Sequence, residues 1–276
     1  VNFVITAALT RALGGELRLR IDDLDTERVR PEYIADIFAT LDWLGIAWDK
    51  GPRTIGEAGE FSQQKRVELY IRLTEQLIAT GQVYACTCTR SELLRRTGSF
   101  VYDGHCRQAR HSLGGETVLR FVLPETPVTV TDALRGALSI DLSAQSGDPV
   151  IRRRDGLPAY HIASLADDLD FQVNRIVRGE DLLASTATQL ALAQALGDAA
   201  KSFRETKFLH HALITGIGGT KLSKSQGDSP LRELRQHGGT AAFVYREAAA
   251  LLRVSSAKNL AEMAERMMAV DLSSRM

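Results

Sequence analysis

Near the N-terminus a helical run breaks at Gly14-Gly15 and gives way at once to strict alternation. In "ELRLRID", Leu17, Leu19 and Ile21 point one way and Arg18, Arg20 and Asp22 the other, the pattern of a strand with one buried face. Residues 3–13 have helical character, and paired glycines suit a C-terminal cap and turn. Helix, glycine pair and strand in that order form half of an α/β crossover unit, so the expected class is α/β. Asp22, Asp23 and Asp25 then fall at and just beyond the strand's C-terminal end, the edge where α/β sheets place ligands.

Further periodicities fill in the chain. Pro31 fits a first helical turn, Ile34, Phe38 and Leu41 give an amphipathic helix over 31–43, and Gly45 ends it. A second helix is expected over 62–80, with Ser62 as candidate cap, Tyr70, Leu73 and Leu77 on its apolar face, and Gly81 closing it. The stretch 84–150 is richer in strand patterns. After it come a strand pair turning at Asp155-Gly156, a helix, and a strand over about 173–177 that leads into Arg178, Gly179, Glu180 and Asp181. A helix over 186–196 with Ser185 or Thr186 as its cap, a last strand within 206–216, and helical segments from 231 onward complete the prediction.

Composition excludes several classes. With 44% hydrophobic and 25% charged residues the 276-residue chain is globular, not disordered or fibrous. Lys+Arg and Asp+Glu are 34 each, so a wholly basic nucleic-acid-coating protein is excluded, while a local basic surface is not. No apolar run reaches 18 residues, and the apolar N-terminus has no basic leader, so it reads as core helix and no membrane association is expected. Three cysteines are too few for a disulfide scaffold, and a cytoplasmic protein is the expectation.

Three groups of residues can carry chemistry. Cys86, Cys88 and Cys106 fall within 21 residues, a spacing that can wrap a tetrahedral zinc ion, with Tyr102 or His105 in range as fourth ligand. Three cysteines plus a fourth side chain leave no open position, so such a zinc is structural. "KLSKS" at 221–225 follows Gly-Gly-Thr and sets Lys221 and Lys224 on a loop suited to polyphosphate, although such a loop by itself is also an ordinary solvated one. Arg178 at a strand end can clamp a carboxylate or join a surface ion-pair network, and Tyr160, just before a helix, fits either core or pocket wall.

Together, "LRLRIDDLDTERVRPEYIADIFATLDWLGIAWDKGP", "RRRDGLPAYHIASLADD", "NRIVRGEDLLASTATQLALAQALG" and "KLSKS" resemble the glutamyl-tRNA synthetase family of class I aminoacyl-tRNA synthetases, over about residues 1–230. "CTCT" followed by "YDGHC" resembles the zinc motif of one subgroup, the glutamyl-Q tRNA(Asp) synthetases; that resemblance makes Cys86, Cys88, Tyr102 and Cys106 the ligands. The subgroup lacks the large helical anticodon-binding region, and only about 46 residues follow Pro230 here. The resemblance implies a Rossmann-like nucleotide-binding fold with an inserted zinc module and a short C-terminal helical region. Its expected divisions are 1–83, the first part of the catalytic domain; 84–150, the zinc-containing acceptor-type module; 151–230, the second part with the KLSKS loop; and 231–276, helical.

The same resemblance implies ATP-dependent activation of L-glutamate, with Mg²⁺, and its transfer to the queuosine base in the tRNA(Asp) anticodon region by a monomeric enzyme. It assigns glutamate binding to Asp22, Tyr160 and Arg178, and ATP and catalytic contacts to Lys224 with Lys221. Asp22 stands where many members carry Glu, which moves the expected amino-group contact by about one methylene. The family's HIGH-type motif and the strand before it are expected upstream of Val1, because residues 1–15 resemble the helix that follows that motif. Rival readings are a truncated glutamate–tRNA ligase and a non-catalytic, synthetase-like RNA-binding protein.

Overall fold

The computed structural model describes residues 1–27, 29–214, 230–270 and 276. Helix α1 (Asn2–Ala12) ends at Leu13, and α2 (Pro31–Leu44) starts on Pro31 and stops at Gly45, whose left-handed backbone caps it. The short α3 (Ile55–Ala58) follows, and a 3-10 turn over Gln63–Arg66 leads into α4 (Val67–Ala79). Next come β1 (Val83–Cys86), α5 (Arg90–Thr97), β2 (Val118–Phe121), β3 (Val128–Asp132), β4 (Gly136–Ile140), α6 (Leu142–Gln145) and β5 (Val150–Arg152). The rest is α7 (Tyr160–Asp170), β6 (Arg175–Gly179), α8 (Leu183–Ala195), α9 (Lys201–Arg204), β7 (Lys207–His211), α10 (Pro230–Gln236), α11 (Ala241–Leu251) and α12 (Leu260–Ala269). The class is α/β.

Two sheets organise the described strands. One is antiparallel, in the order β1-β2-β5, with Val83 opposite Phe121 and Cys86 opposite Val118. The other runs β4-β3-β7-β6 and is mixed, since β3 pairs antiparallel with β4 and parallel with β7 through Asp132 and Phe208.

The chain divides into two compact units. The first comprises residues 1–65, 177–181 and 209–276. In it α11 and α12 pack on α1, whose Val4, Ile5, Ala8 and Leu9 are buried, while α10 packs on α2. Arg232 and Arg235 both reach Asp36, at 3.2 and 2.8 Å, and Tyr245 donates to the Leu44 carbonyl at 2.7 Å, so α2 is tied to α10 and α11 by polar links.

The second unit comprises residues 66–176 and 182–208. There α4 packs on α7 and α7 on α8, around Leu73, Leu77, Ile162, Leu165 and Leu192. Buried Asp167 of α7 accepts hydrogen bonds from Arg66 Nε at 2.7 Å and from Tyr70 Oη at 2.9 and 3.0 Å, so a fully enclosed carboxylate joins α4 to α7.

Several sequence expectations shift. The alternating segment 16–22 forms no regular strand: it is extended and touches residues 49–50 through three backbone hydrogen bonds and one isolated parallel bridge, Arg18 to Lys50. Leu17 and Leu19 are only half-buried, so alternation has no closed face to drive a longer ladder. Ser62 accepts from the Gln64 N–H at 3.1 Å and caps the 3-10 turn, not α4 itself. The strand expected over 173–177 is β6, two residues later. Neither Ser185 nor Thr186 is the N-cap of α8, which begins at Leu183 after a 3-10 turn over Glu180–Leu182, and Thr186 is buried within it. Among the described residues no helix is long and apolar enough to cross a membrane.

Candidate metal centre and candidate substrate residues

The thiol cluster is assembled by two stretches of the second unit. Strand β1 ends on buried Cys86, and Cys88 lies just beyond it. Thr89 then opens α5 with a reciprocal capping box: its side chain accepts the Glu92 N–H at 3.2 Å and Glu92 accepts the Thr89 N–H at 2.7 Å. This fixes the chain direction immediately after Cys88. From the other side, the loop after Gly98 brings in Tyr102 and Cys106, both buried.

Sγ atoms of Cys86, Cys88 and Cys106 all lie within 4.8 Å of one another, with Cys88 and Cys106 3.6 Å apart. The Tyr102 hydroxyl accepts from Cys86 Sγ at 3.3 Å and from the Cys106 N–H at 3.0 Å, so a phenol oxygen sits beside the sulfur cluster. His105 lines an open cleft of about 670 Å³ beside the cluster, together with Arg95, Arg96 and His111, and it is not one of the three-residue group.

The surroundings of Cys88 and Cys106 act on the two thiols in opposite directions. Burial and the hydrogen bond with Cys106 push Cys88 up to about 11. Burial also works to raise Cys106, but hydrogen bonds from the Thr87 backbone, the Tyr102 hydroxyl and the other two thiols outweigh it and bring Cys106 down to about 6. Burial and the Cys86 hydrogen bond hold Tyr102 far above the usual phenol range. Arg96 stands 3.8 Å from Cys88 Sγ and is itself held by Asp103 at 2.7 and 2.9 Å, which takes Asp103 down to about 2. Three thiols within 4.8 Å of one another with an adjacent oxygen make a donor set that can hold a metal ion.

The other anticipated residues stand as follows. Asp22 is exposed, and its Oδ1 accepts from Arg20 Nε at 2.7 Å and from Gln63 Nε2 at 3.2 Å. Its neighbour Asp23 is buried and accepts the Gln63 N–H at 2.8 Å, so the 3-10 turn before α4 holds the acidic segment in place. Arg178 is buried on β6; after it Glu180 accepts the Leu213 N–H at 3.3 Å. Tyr160 is the first residue of α7, 46% exposed, with its ring set edge-on to His161 at 5.5 Å. Lys221 and Lys224 lie outside the described residues. Of all these positions, Cys86, Cys88, Tyr102 and Cys106 are brought together. Gln63, Arg96 and Asp103 were not anticipated; only the position of Asp103, directly after Tyr102, carried a hint.

The model of the catalytic domain of class I tRNA synthetases (E and Q) matches residues 2–273. The chain belongs to this family. Its relatives within the class I E-and-Q family include glutamate–tRNA ligase 2 of Syntrophus aciditrophicus, 38% identical over 242 residues, covering 83% of this chain and 49% of the relative. Two glutamyl-Q tRNA(Asp) synthetases are also similar: that of Methylococcus capsulatus at 39% over 225 residues (81% of this chain, 69% of the relative), and that of Nitratidesulfovibrio vulgaris at 35% over 256 residues (88% and 78%). The chain spans about half the length of the glutamate–tRNA ligases it matches. The crystal structure of the glutamate–tRNA synthetase from Elizabethkingia anophelis superposes with a TM-score of 0.75 at 26% identity, covering 99% of this chain and 62% of that one. The fold is thus that of a class I synthetase catalytic domain.

Proposed function

We propose that this chain activates L-glutamate with ATP and transfers it to the queuosine base of tRNA(Asp). The observation that supports the finer reading is the convergence of Tyr102 Oη with the sulfurs of Cys86, Cys88 and Cys106, the ligand set that the resemblance to glutamyl-Q tRNA(Asp) synthetases implies. The donor set suits zinc, which takes thiolate and oxygen ligands tetrahedrally. Zinc held there is a structural cross-link between β1 and the loop that carries Tyr102 and Cys106.

In the first step a glutamate carboxylate oxygen attacks the α-phosphorus of ATP. The bond to the bridging oxygen breaks, and pyrophosphate leaves with Mg²⁺. In the second a hydroxyl of the modified base attacks the acyl carbon, AMP departs with the bridging oxygen, and the hydroxyl proton is lost to solvent. Neither step needs a protein nucleophile; alignment and charge stabilisation do the work. Asp22 takes the glutamate ammonium, Arg178 a carboxylate, and Tyr160 supplies a further substrate contact. Lys224 and Lys221 stabilise the phosphates. The chain works as a monomer in the cytoplasm on this reading.

A glutamate–tRNA ligase is the second reading, favoured by the 38% identity to the Syntrophus enzyme. Pyrophosphate exchange without tRNA, run separately with glutamate, glutamine and aspartate on zinc-loaded protein, tests activation. Transfer of labelled glutamate to queuosine-containing tRNA(Asp) and to tRNA(Glu) then separates the readings. Glutamate-specific exchange with labelling of tRNA(Asp) alone is expected, and Lys224→Ala should reduce the exchange rate at least about 100-fold, the scale of losing one transition-state donor. Labelling of tRNA(Glu) instead refutes the finer reading. Absence of exchange with all three amino acids refutes tRNA-independent activation by this chain.

A further inference from the structure

Three thiols and a phenol converge only if residues 86–88 and 102–106 are held face to face. The first stretch belongs to a strand. The second lies in residues 98–117, where no helix or strand forms, so its anchor has to come from elsewhere. That anchor is the turn at 146–148. Ser146 O accepts the Tyr102 N–H at 3.0 Å. Gly147 has φ +65° and lies so close to Tyr102 that a Cβ there would overlap the Tyr102 carbonyl.

Asp148 completes the grip and is fully buried. Its carboxylate accepts both Nε and Nη2 of Arg107 at 2.6 Å, the Tyr84 hydroxyl at 2.6 Å and the Leu123 N–H at 3.0 Å. Arg107 directly follows Cys106, so this bidentate clamp fixes the third cysteine's backbone. The Asp148 carbonyl accepts Arg120 Nη1 at 2.6 Å, and the Arg120 guanidinium covers the Tyr102 ring at 3.6 Å. Arg120 Nε is buried without a hydrogen-bond partner, so the Asp148 carbonyl and the ring beneath set where that guanidinium sits.

We propose that Asp148, from outside the donor set, is the positioning residue of the metal centre: it holds Cys106 through Arg107 and the Tyr102 ring through Arg120. The proposal rests on the reading that the cluster binds zinc. A ligand loop with no regular structure is thereby organised before metal arrives, and outer contacts of this kind set affinity as well as geometry.

The test is zinc affinity by competition with a chromophoric chelator, together with the visible spectrum of the cobalt-substituted full chain. Asp148→Asn and Arg107→Met should each weaken zinc binding about 10–100-fold, and their double variant should be no worse than the weaker single. The cobalt ligand-field bands should change in intensity or position. Arg107→Lys, which keeps charge but loses the fork on a partly exposed side chain, should fall between, and it serves if Asp148→Asn does not fold. Asp167→Asn breaks a different buried ion pair of the same unit and should lower stability without moving zinc affinity. Zinc affinity within twofold of wild type in folded Asp148→Asn and Arg107→Met, with an unchanged cobalt spectrum, would overturn the inference while leaving the metal site standing. Wild-type protein that takes up no zinc would overturn both.

Discussion

Tyr70→Phe is a sharp probe of how the second unit is held. The substitution removes one oxygen from a side chain that is 0% exposed, and that oxygen donates to an Asp167 carboxylate that is also 0% exposed. Ring packing against α7 is retained, so no cavity larger than a hydroxyl is left. A hydrogen bond to a charged acceptor in such surroundings contributes about 1.5–3 kcal/mol, and Arg66 still pairs with Asp167, which puts the expected loss near about 2 kcal/mol. Urea unfolding at pH 7 should show that loss as a lower midpoint with an unchanged slope. A second signature comes from pH. Burial, and then the Asp167 carboxylate, hold the Tyr70 hydroxyl protonated well above the usual tyrosine range. Above about pH 10 the unfolded chain therefore binds fewer protons at this site than the folded one, and the wild type loses about 1.4 kcal/mol per pH unit that Tyr70→Phe does not lose. The gap between the two proteins should shrink from about 2 kcal/mol at pH 7 to below about 1 kcal/mol at pH 11. A gap under about 0.5 kcal/mol at pH 7, or one that stays constant to pH 11, would refute the reasoning.

Three further outcomes are expected. Cys106→Ser should remove one equivalent of zinc per chain by elemental analysis, because it takes away one of the three sulfur donors of the cluster. Asp22→Ala should raise the KM for glutamate about tenfold or more in pyrophosphate exchange while leaving the KM for ATP within about twofold; the opposite split would remove the ammonium role. Gly147→Ala should cost at least about 1 kcal/mol for the left-handed backbone, and more once Tyr102 is displaced, so both the thermal midpoint and zinc uptake should fall together.

Helices were legible in the sequence because their signals are local. Pro31 and Gly45 bracket α2 as expected, and the apolar spacing of Tyr70, Leu73 and Leu77 is the buried stripe of α4. The segment 16–22 was not legible, since alternation states which side chains share a face but not whether a partner strand lies along the whole length. Thr186 has the chemistry of a cap, yet the turn over Glu180–Leu182 moves the helix start upstream and leaves it inside. At the metal centre the cysteines advertise themselves by spacing, whereas Asp148 does not. Its importance comes from Tyr84, Arg107, Arg120 and Leu123, none adjacent to it in sequence, and no local pattern encodes such a convergence.

The parallel pairing of β3 with β7 has a consequence for how the chain is made. β3 and β4 leave the ribosome as a hairpin, but β7, which meets the other edge of β3 where Phe208 lies opposite Asp132, is synthesised about 75 residues later. At usual translation speeds that is a wait of about 4–15 s. During it the Asp132 end of β3, which later meets Phe208, offers unpaired backbone groups to any neighbouring chain. Its outward threonines, Thr129 and Thr131, keep that face polar while it waits. Replacing them with valine would leave the finished fold almost untouched and would be felt first as aggregation of the nascent protein.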